Sequence, residues 1–230
     1  MKNFFRKVAF GIGPNEQAPS DPLKWALDQV NDVPELSWKG KIYSEKELRK
    51  HYRDWVYGDR KVLRKKYKDN KTLYKTHKDI LRHKTGQKFW ESLEISIRHN
   101  EGINSSSPVL AKLWMFWGNF FAISEKDFLA NYSTGAYQRE IIRPNLNQSF
   151  EKMVYDVTTS WAMIHHLDNS ESAGPKSVTA GEEWRRRKKE PATINENHGR
   201  ELLELHTVSP KAGYTPVSYT HLTLPTILLV

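Results

Sequence analysis

Apolar residues recur at helical spacing along most of this chain of 230 residues, a pattern that predicts helices rather than strands. Asp21 is a typical N-cap and Pro22 a typical first-turn residue, so they predict a short helix. Its apolar positions are Leu23, Trp25, Ala26, Leu27 and Val30. Ser44 and Glu47 form a capping box, which predicts the start of a longer helix. One face of that helix carries Leu48, Tyr52, Trp55 and Val56.

The middle of the chain predicts three further helical stretches. Gly58 and Asp59 interrupt the pattern, after which we expect helix from Arg60 to about His83. Gly86 precedes an amphipathic run whose apolar positions are Phe89, Trp90, Leu93 and Ile97. Residues 104–107 form a polar loop, and Pro108 begins a strongly apolar helix over 109–121. That helix contains Leu113, Trp114, Met115, Phe116 and Trp117, so we expect it to be buried on nearly all sides.

The C-terminal half predicts three more helices and one long loop. Helices are expected over 125–137 and 149–161, divided near Arg143 and Pro144 because proline disfavours helix at the preceding residue. The core helices therefore lie within 108–166. Residues 168–193 are polar and contain glycine and proline, which predicts a loop, and 195–207 is helical again. With no run of period-two strands, the predicted fold class is mostly α: a multi-helix globular domain over residues 1–216.

Composition excludes several classes of protein. The chain is 38% hydrophobic and 12% aromatic, which is too apolar for wholesale disorder. No window approaches eighteen consecutive apolar residues, so no transmembrane helix is predicted. The absence of cysteine excludes disulfides, thiolate zinc sites and a cysteine nucleophile. Residues 1–7 carry charge but no apolar core segment, so no signal peptide is expected and the localisation stays open.

The net charge of +9 is unevenly distributed. Between Lys39 and Arg98 there are 19 lysines and arginines against 8 acidic residues, whereas the rest of the chain is slightly acidic. Aromatic residues are interleaved with these cations, which is typical of some nucleic-acid surfaces. Helical spacing explains the same aromatics without a ligand, so we favour a solvated helical face over a nucleic-acid site. A second cluster, Arg185–Lys189, predicts a flexible loop.

Four segments follow one another in a characteristic order. They are Phe10–Pro14 with Asp21, Pro22, Trp25 and Gln29; Phe116–Ser124; Arg139–Pro144 with Leu167–Ser172; and Asn195–Asn197 with Arg200–Thr207 and Gly213–Thr215. In this order and spacing the chain resembles the bacterial family catalogued as domain of unknown function 1800, over most of residues 4–216. The resemblance implies a helical fold, no established reaction, and frequent export of family members. Where members commonly carry histidine, this chain has Phe120, so any role of that histidine is absent or displaced here.

The last residues look foreign to this family. Val217–Thr226 is the translation of a string that resembles a widely used transposon-based sequencing adapter. The family resemblance stops at Tyr214 and Thr215, where members continue into a further helical region. We therefore expect residues 217–230 to be adapter-derived and residues 1–216 to be an N-terminal fragment. The alternative is a genuine apolar tail.

The helix at 195–207 carries the best candidates for a catalytic site. Asn197, Glu201 and Glu204 share one face, Glu196, Arg200 and Glu204 another, and His198, Leu202 and Leu205 are expected to face the core. Carboxylates with an arginine can position a substrate. The candidates are Asp168, Asn195, Glu196, Asn197, Arg200 and Glu201. We favour a structural interpretation, in which Asn195 caps the helix and Arg200 forms i,i+4 ion pairs with Glu196 and Glu204.

Other site chemistry has weaker support. His165, His166 and Asp168 precede the loop and His198, Glu201 and His206 follow it, but the pair of histidines flanking a glutamate that marks zinc peptidases is missing. Phe10–Gly13 lacks the lysine of a phosphate loop and is better explained as a tight turn, and Asp168–Ser170 as a turn that ends a helix. We predict no metal and no cofactor.

Three functions remain open at this point. The first is a helical module without a known reaction, envelope-associated or bound to a protein partner. The second is a hydrolase-like enzyme with a carboxylate and arginine site around Glu196–Glu204, so whether the protein is an enzyme stays undecided. The third is nucleic-acid binding through residues 39–98.

Overall fold

The computed structural model describes residues 2–13, 15–124, 129–174 and 194–218, and these residues contain helices and no strands. The prediction of a mostly-α fold is therefore confirmed. The α-helices are α1 (Lys2–Val8), α2 (Pro22–Val30), α3 (Glu45–Arg53), α4 (Arg60–Lys66), α5 (Lys71–Lys84), α6 (Gln87–Asn104), α7 (Pro108–Phe120), α8 (Ala130–Tyr137), α9 (Phe150–Thr159), α10 (Trp161–His166) and α11 (Asn197–Glu201). Wider π-helical turns follow three of them, at Asp54–Asp59, Gln138–Ile142 and Leu202–Thr207.

Short 3₁₀ turns complete the described structure, at Arg143–Asn145, Asn169–Glu171 and Pro210–Ala212. None of the helices in the described ranges is long and apolar enough to cross a membrane. The chain divides into two compact units, residues 1–153 and 154–230. The Arg185–Lys189 cluster, most of the predicted 168–193 loop, residues 125–128 of a predicted helix and residues 219–230 lie outside the described residues.

Side-chain caps start the helices of the first unit where the sequence predicts them. The Lys24 backbone N–H donates to Asp21 Oδ1 over 2.9 Å at the start of α2. At α3, Ser44 and Glu47 bond reciprocally, so the capping box is confirmed. These caps satisfy backbone donors that have no partner inside the helix.

The basic segment differs from prediction in where it breaks. Gly58 lies inside the π-helical turn, so the chain stays helical from Glu45 to Lys66. The break comes instead after Tyr67, and Asn70 caps α5 by accepting from the Leu73 backbone N–H over 3.0 Å. Asn70 is a strong N-cap residue, and its side chain starts a new helix inside the stretch predicted to be continuous.

Two apolar clusters form the core of the first unit. The larger joins α3, α6 and α8 and consists of Leu48, Trp55, Trp90, Tyr132 and Ala136, with Leu81 of α5 packed against it. The smaller joins Ala9, Ala26 and Val109. The face predicted from Leu48 and Trp55 is therefore the face that α3 and its following turn bury.

Helix α7 is less buried than its composition predicts. Val109, Leu110, Ala111 and Trp114 are buried, but Phe116 is 56% exposed and Phe120 is 40% exposed. Phe120, at the position where the family commonly has histidine, lies in a group of neighbouring rings with Phe116, Trp117 and Phe121. The expectation of burial on nearly all sides was wrong, because overall hydrophobicity does not determine how many neighbours a helix has.

The second unit contains the predicted loop start and the last helix. Ser160 caps α10 and separates it from α9, so the predicted helix 149–161 ends at Thr159. After α10, Asp168 adopts a left-handed backbone with φ of 58°, a conformation that aspartate tolerates better than most residues. This ends the helix where the sequence predicts a turn.

The helix predicted over 195–207 is α11 followed by a π-helical turn. His198 is buried as expected, but Leu205 is 62% exposed and His206 is buried in its place. A π-helical turn bonds i to i+5 and so places more residues in each turn than an α-helix. The inward-facing position therefore moves one residue along, from Leu205 to His206.

Candidate functional site

Arg200 organises the predicted carboxylate and arginine cluster. Its guanidinium donates to Glu204 Oε2 over 2.8 Å, to Glu201 Oε1 over 2.6 Å and to Asn197 Oδ1 over 2.5 Å. These three partners lie within four residues of Arg200 on one helical stretch. About 40% of the Arg200 side chain is exposed, so the pairs lie at the edge of solvent. Such contacts stabilise a helix surface by a few tenths of a kcal/mol each.

A second polar group joins Asn195 to the turn after α10. The Asn195 backbone N–H donates to Ser172 Oγ over 2.8 Å, and Ser172 Oγ–H donates to Asn169 Oδ1 over 3.0 Å. The Asn195 side chain accepts from the Asn197 backbone N–H over 3.0 Å. Asn195 therefore shapes the start of α11, as the structural interpretation predicts. The catalytic assignment of Asp168, Asn195, Glu196, Asn197, Arg200 and Glu201 stays a prediction.

Two buried histidines lie beneath this surface. Burial, and to a smaller extent the nearby His206, lower the pKa of His198 to about 4. The Thr158 backbone slightly opposes this shift, yet neither ring nitrogen of His198 has a hydrogen-bond partner at normal geometry among the described residues. Burial also lowers the pKa of His206. Both imidazoles are therefore neutral at pH 7.

Metal binding has no geometric support in the residues described. No group of three or more histidine, aspartate or glutamate side chains there is placed to hold a metal ion. The histidines and carboxylates that the sequence suggested between His165 and His206 form no such group where the structure describes them.

The first unit contains a buried ion pair that was not predicted from the sequence. Arg139 donates through Nε to Glu94 Oε2 over 2.8 Å and through Nη2 to Glu94 Oε1 over 2.7 Å. The side chains are 5% and 7% exposed. Arg139 Nη2 also donates to the Tyr43 carbonyl over 2.6 Å. Burial alone lowers the pKa of Arg139, but the pairing with Glu94 outweighs it and the pKa is raised, so the Arg139 guanidinium is charged at pH 7.

A second buried pair lies one helical turn further on. Arg143 Nη2 donates to Glu101 Oε1 over 3.2 Å and to the Pro34 carbonyl over 2.6 Å. Glu101 Oε2 accepts from both the backbone N–H and the hydroxyl of Ser37. Burial by itself raises the pKa of Glu101, but the bonds from Ser37 and Arg143 outweigh it, so the pKa lies below its usual range.

These pairs attach the irregular segment before α3 to the helical core. Arg139 and Arg143 reach the carbonyls of Tyr43 and Pro34, and Glu140 accepts from the Glu45 backbone N–H at the start of α3. The motif Arg139–Pro144 that carried the family resemblance therefore has a structural role here. The sequence signal for the two ion pairs was the seven-residue spacing of Glu94 and Glu101, which places both carboxylates on one face of α6.

A surface cleft of about 620 Å³ adjoins this segment. It is lined by Ser37, Trp38, Lys39, Gly40, Asn100 and Asn104. Its amides bond to each other and to the serine: Asn104 Nδ2 donates to Asn100 Oδ1, and Asn100 Nδ2 donates to Ser37 Oγ. These two hydrogen bonds join three of the polar side chains that line the cleft.

The charge of the protein is concentrated in the hairpin formed by α4, α5 and their connection, residues 60–84, which we call the basic hairpin. It contains 11 lysines and arginines and two aspartates, a net charge of +9. The other residues of the chain contain 25 basic and 25 acidic side chains, so they are balanced. Helix α5 buries no residue completely. The positive charge predicted for residues 39–98 is therefore concentrated in the 25 residues of the basic hairpin, most of whose side chains are exposed to solvent.

Within the hairpin, the aromatic side chains are partly buried, whereas most of the cations are exposed. Tyr67 and His77 stack with ring centroids 4.6 Å apart, and Leu81 packs on the core. Of the aromatics interleaved with this segment, Trp55 and Trp90 are buried, as the structural interpretation predicts, but Tyr57 is 60% exposed. Lys61 Nζ lies 5.3 Å from the centroid of the Tyr57 ring. Tyr52, Tyr67 and Tyr74 are partly buried, and Phe89 is 39% exposed. Helical burial thus explains most of these aromatics and leaves Tyr57 and Phe89 at the surface.

These features define an all-α protein with two buried arginine–carboxylate pairs and one strongly basic hairpin. Residues 3–218 match the model of the family described as Protein of unknown function (DUF1800), and the chain belongs to that family. The predicted resemblance is thereby confirmed, and the family description names no activity. The match includes residues 217 and 218, and the adapter origin of residues 217–230 stays a prediction. No curated protein and no solved structure matches the chain.

Proposed function

We propose that this protein is a helical binding module that engages an anionic partner through the basic hairpin. The observation that carries the proposal is the location of the whole net charge, +9, in residues 60–84. Like charges held together on one surface repel each other and destabilise the folded chain slightly. An anionic partner removes that repulsion and is attracted over about a Debye length.

Most cations of α5 have no acidic partner among the described residues. Lys71, Lys75 and Lys78 form no ion pair among the described residues. Within the described part of the hairpin one ion pair occurs, between Arg82 and Asp79 at 3.5 Å, and 64% of the Asp79 side chain is exposed. An exposed pair of this kind is weak and leaves the surface strongly positive.

The proposal is tested by retention of the full chain on immobilised heparin, a generic polyanion, in a salt gradient. The test variant carries Lys71→Gln, Lys75→Gln and Lys78→Gln. The matched control carries Lys7→Gln, Lys50→Gln and Lys211→Gln, which removes the same charge from exposed positions outside the hairpin.

We expect the hairpin variant to elute at clearly lower salt than the control variant, because clustered cations act together on one polyanion. Equal shifts of the two variants would show that only total charge matters and would refute a dedicated surface. Circular dichroism of both variants checks that helix content is unchanged.

A further inference from the structure

We infer that the partner of the basic hairpin is single-stranded nucleic acid, held through its phosphate backbone. This inference rests on the binding function proposed above and identifies the chemistry of the partner. Four observations on the hairpin support it, and they also distinguish a nucleic-acid strand from an anionic membrane.

The first observation is a linear array of cations. Lys71, Lys75, Lys78 and Arg82 occur at i, i+4, i+7 and i+11 of α5, so they form one stripe along a single side of the helix. With a rise of 1.5 Å per residue, the stripe is about 16 Å long. A line of evenly spaced cations is complementary to a strand of regularly spaced phosphates.

The second observation concerns the apolar residues of the same helix. Leu73 and Ile80 are both 44% exposed and, seven residues apart, share one face. At about 100° per residue that face lies roughly 140–200° around the helix from the cation stripe. A flat bilayer that receives Leu73 and Ile80 would leave the stripe on the far side of the helix. A membrane-bound helix instead carries its cations beside its apolar face.

The third observation is the exposed ring of Tyr57. Bases of a single strand stack on exposed aromatic side chains, whereas the bases of a duplex are already stacked. Tyr57 lies in the π-helical turn that leads into α4, and Lys61 of α4 is next to its ring. A cation beside an open aromatic ring provides both contacts that a nucleotide offers, phosphate and base.

The fourth observation is the arrangement of α4. Lys61 and Lys65 of α4, and Lys68 in the turn that follows it, are spaced four and three residues apart, and all three are exposed. Lys61 is the one of the three whose Nζ lies near the Tyr57 ring, 5.3 Å from its centroid. Both arms of the hairpin therefore carry exposed cations, and the exposed Tyr57 ring lies just before α4 in the chain.

The test measures binding of the full chain to a fluorescein-labelled oligothymidylate by fluorescence anisotropy at several salt concentrations. For single strands, log Kobs falls with log salt with a slope of about −0.7 per phosphate contact. We expect the slope to become less steep by about 2 in the Lys71→Gln, Lys75→Gln, Lys78→Gln variant, since three contacts are removed. The control with Lys7, Lys50 and Lys211 replaced should retain the wild-type slope.

A second variant, Tyr57→Ser, tests the aromatic contact without changing the charge. We expect it to weaken binding to the oligothymidylate by roughly five-fold or more, the loss of one base stacked on one ring, with an unchanged salt slope. Binding to a duplex of equal length should not change. If Tyr57→Ser binds both ligands like the wild type, the assignment of a single strand is wrong.

Two further arms separate the inference from the proposed function. Tighter binding to phosphatidylglycerol vesicles than to the oligothymidylate, with the hairpin variant losing it, would overturn nucleic acid in favour of a membrane. Absence of oligothymidylate binding together with the expected heparin shift would overturn the inference while leaving the binding function intact. Absence of a selective heparin shift would overturn both.

Discussion

The buried pair of Glu94 and Arg139 gives the most demanding test of the fold. Both side chains are almost fully enclosed, and two short hydrogen bonds join them. Replacing Glu94 by glutamine removes the negative charge at nearly constant volume. The guanidinium of Arg139 then remains buried with one neutral acceptor in place of the carboxylate.

The magnitude follows from this burial. Breaking a buried pair by removing one partner costs about 3–5 kcal/mol, because the remaining charge stays out of water. Arg139 keeps its bond to the Tyr43 carbonyl and its contact with Glu140, so we expect the lower end, about 3 kcal/mol, for Glu94→Gln. Arg139→Met should cost a similar amount because it leaves Glu94 without its cation.

The double variant isolates the interaction energy between Glu94 and Arg139 from the effects of each substitution on other neighbours. With Glu94→Gln and Arg139→Met together, no buried charge is left without a partner, so the cost should fall below the sum of the single costs. We expect a coupling free energy of about 2–3 kcal/mol. Additive costs, or single costs below about 1 kcal/mol, would refute the view that this pair holds the segment before α3 against the core.

The assay is urea unfolding followed by tryptophan fluorescence, since Trp55 and Trp90 are both in the core that contacts these helices. Lys24→Gln is the matched control, because it breaks an ion pair that is exposed on both sides. Its unfolding midpoint should equal that of the wild type. Circular dichroism in parallel shows whether the two units unfold together.

Three further predictions concern other parts of the structure. His198 has a pKa of about 4 in the folded chain against 6.5 in the unfolded chain, so between these pH values the unfolded state binds more protons. The stability that this difference contributes is complete above pH 6.5 and is lost as the pH falls to 4, by about 3 kcal/mol in total. In urea unfolding at several pH values His198→Gln should flatten this dependence, and exposed His83→Gln should not; a wild-type slope in His198→Gln would contradict the assignment. Gly135→Ala should lower the thermal midpoint strongly, because its Cβ would overlap the Glu94 side chain, and an unchanged midpoint would contradict that packing. Arg200→Gln should cost less than about 1 kcal/mol in the same unfolding assay, since its partners are local and its own side chain is about 40% exposed, and a larger cost would indicate contacts beyond the helix.

Local features of the chain allowed much of the fold to be predicted. Asp21, Ser44 and Pro108 begin helices where the sequence places them, because a cap depends on residues within one turn. Asn70 is an equally local signal, and its side-chain cap explains the break between α4 and α5 that was not predicted. The candidate cluster around Arg200 was also local, and the Arg200–Glu204 pair was predicted from its spacing of four residues.

Contacts between residues far apart in the sequence could not be predicted from local features. Glu94 and Arg139 are 45 residues apart, and helical periodicity says which face each residue occupies but not which helix it meets. The exposed side of α7 and the exchange of Leu205 for His206 depend in the same way on neighbouring elements and on a π-helical turn. The sequence by itself thus determined the helical class, most helix starts and the basic character of residues 39–98, since capping, periodicity and charge are local properties. Only the tertiary structure decided which charges are buried in pairs and which form an open stripe on α5, because burial is a property of packing between segments that the chain brings together from far apart.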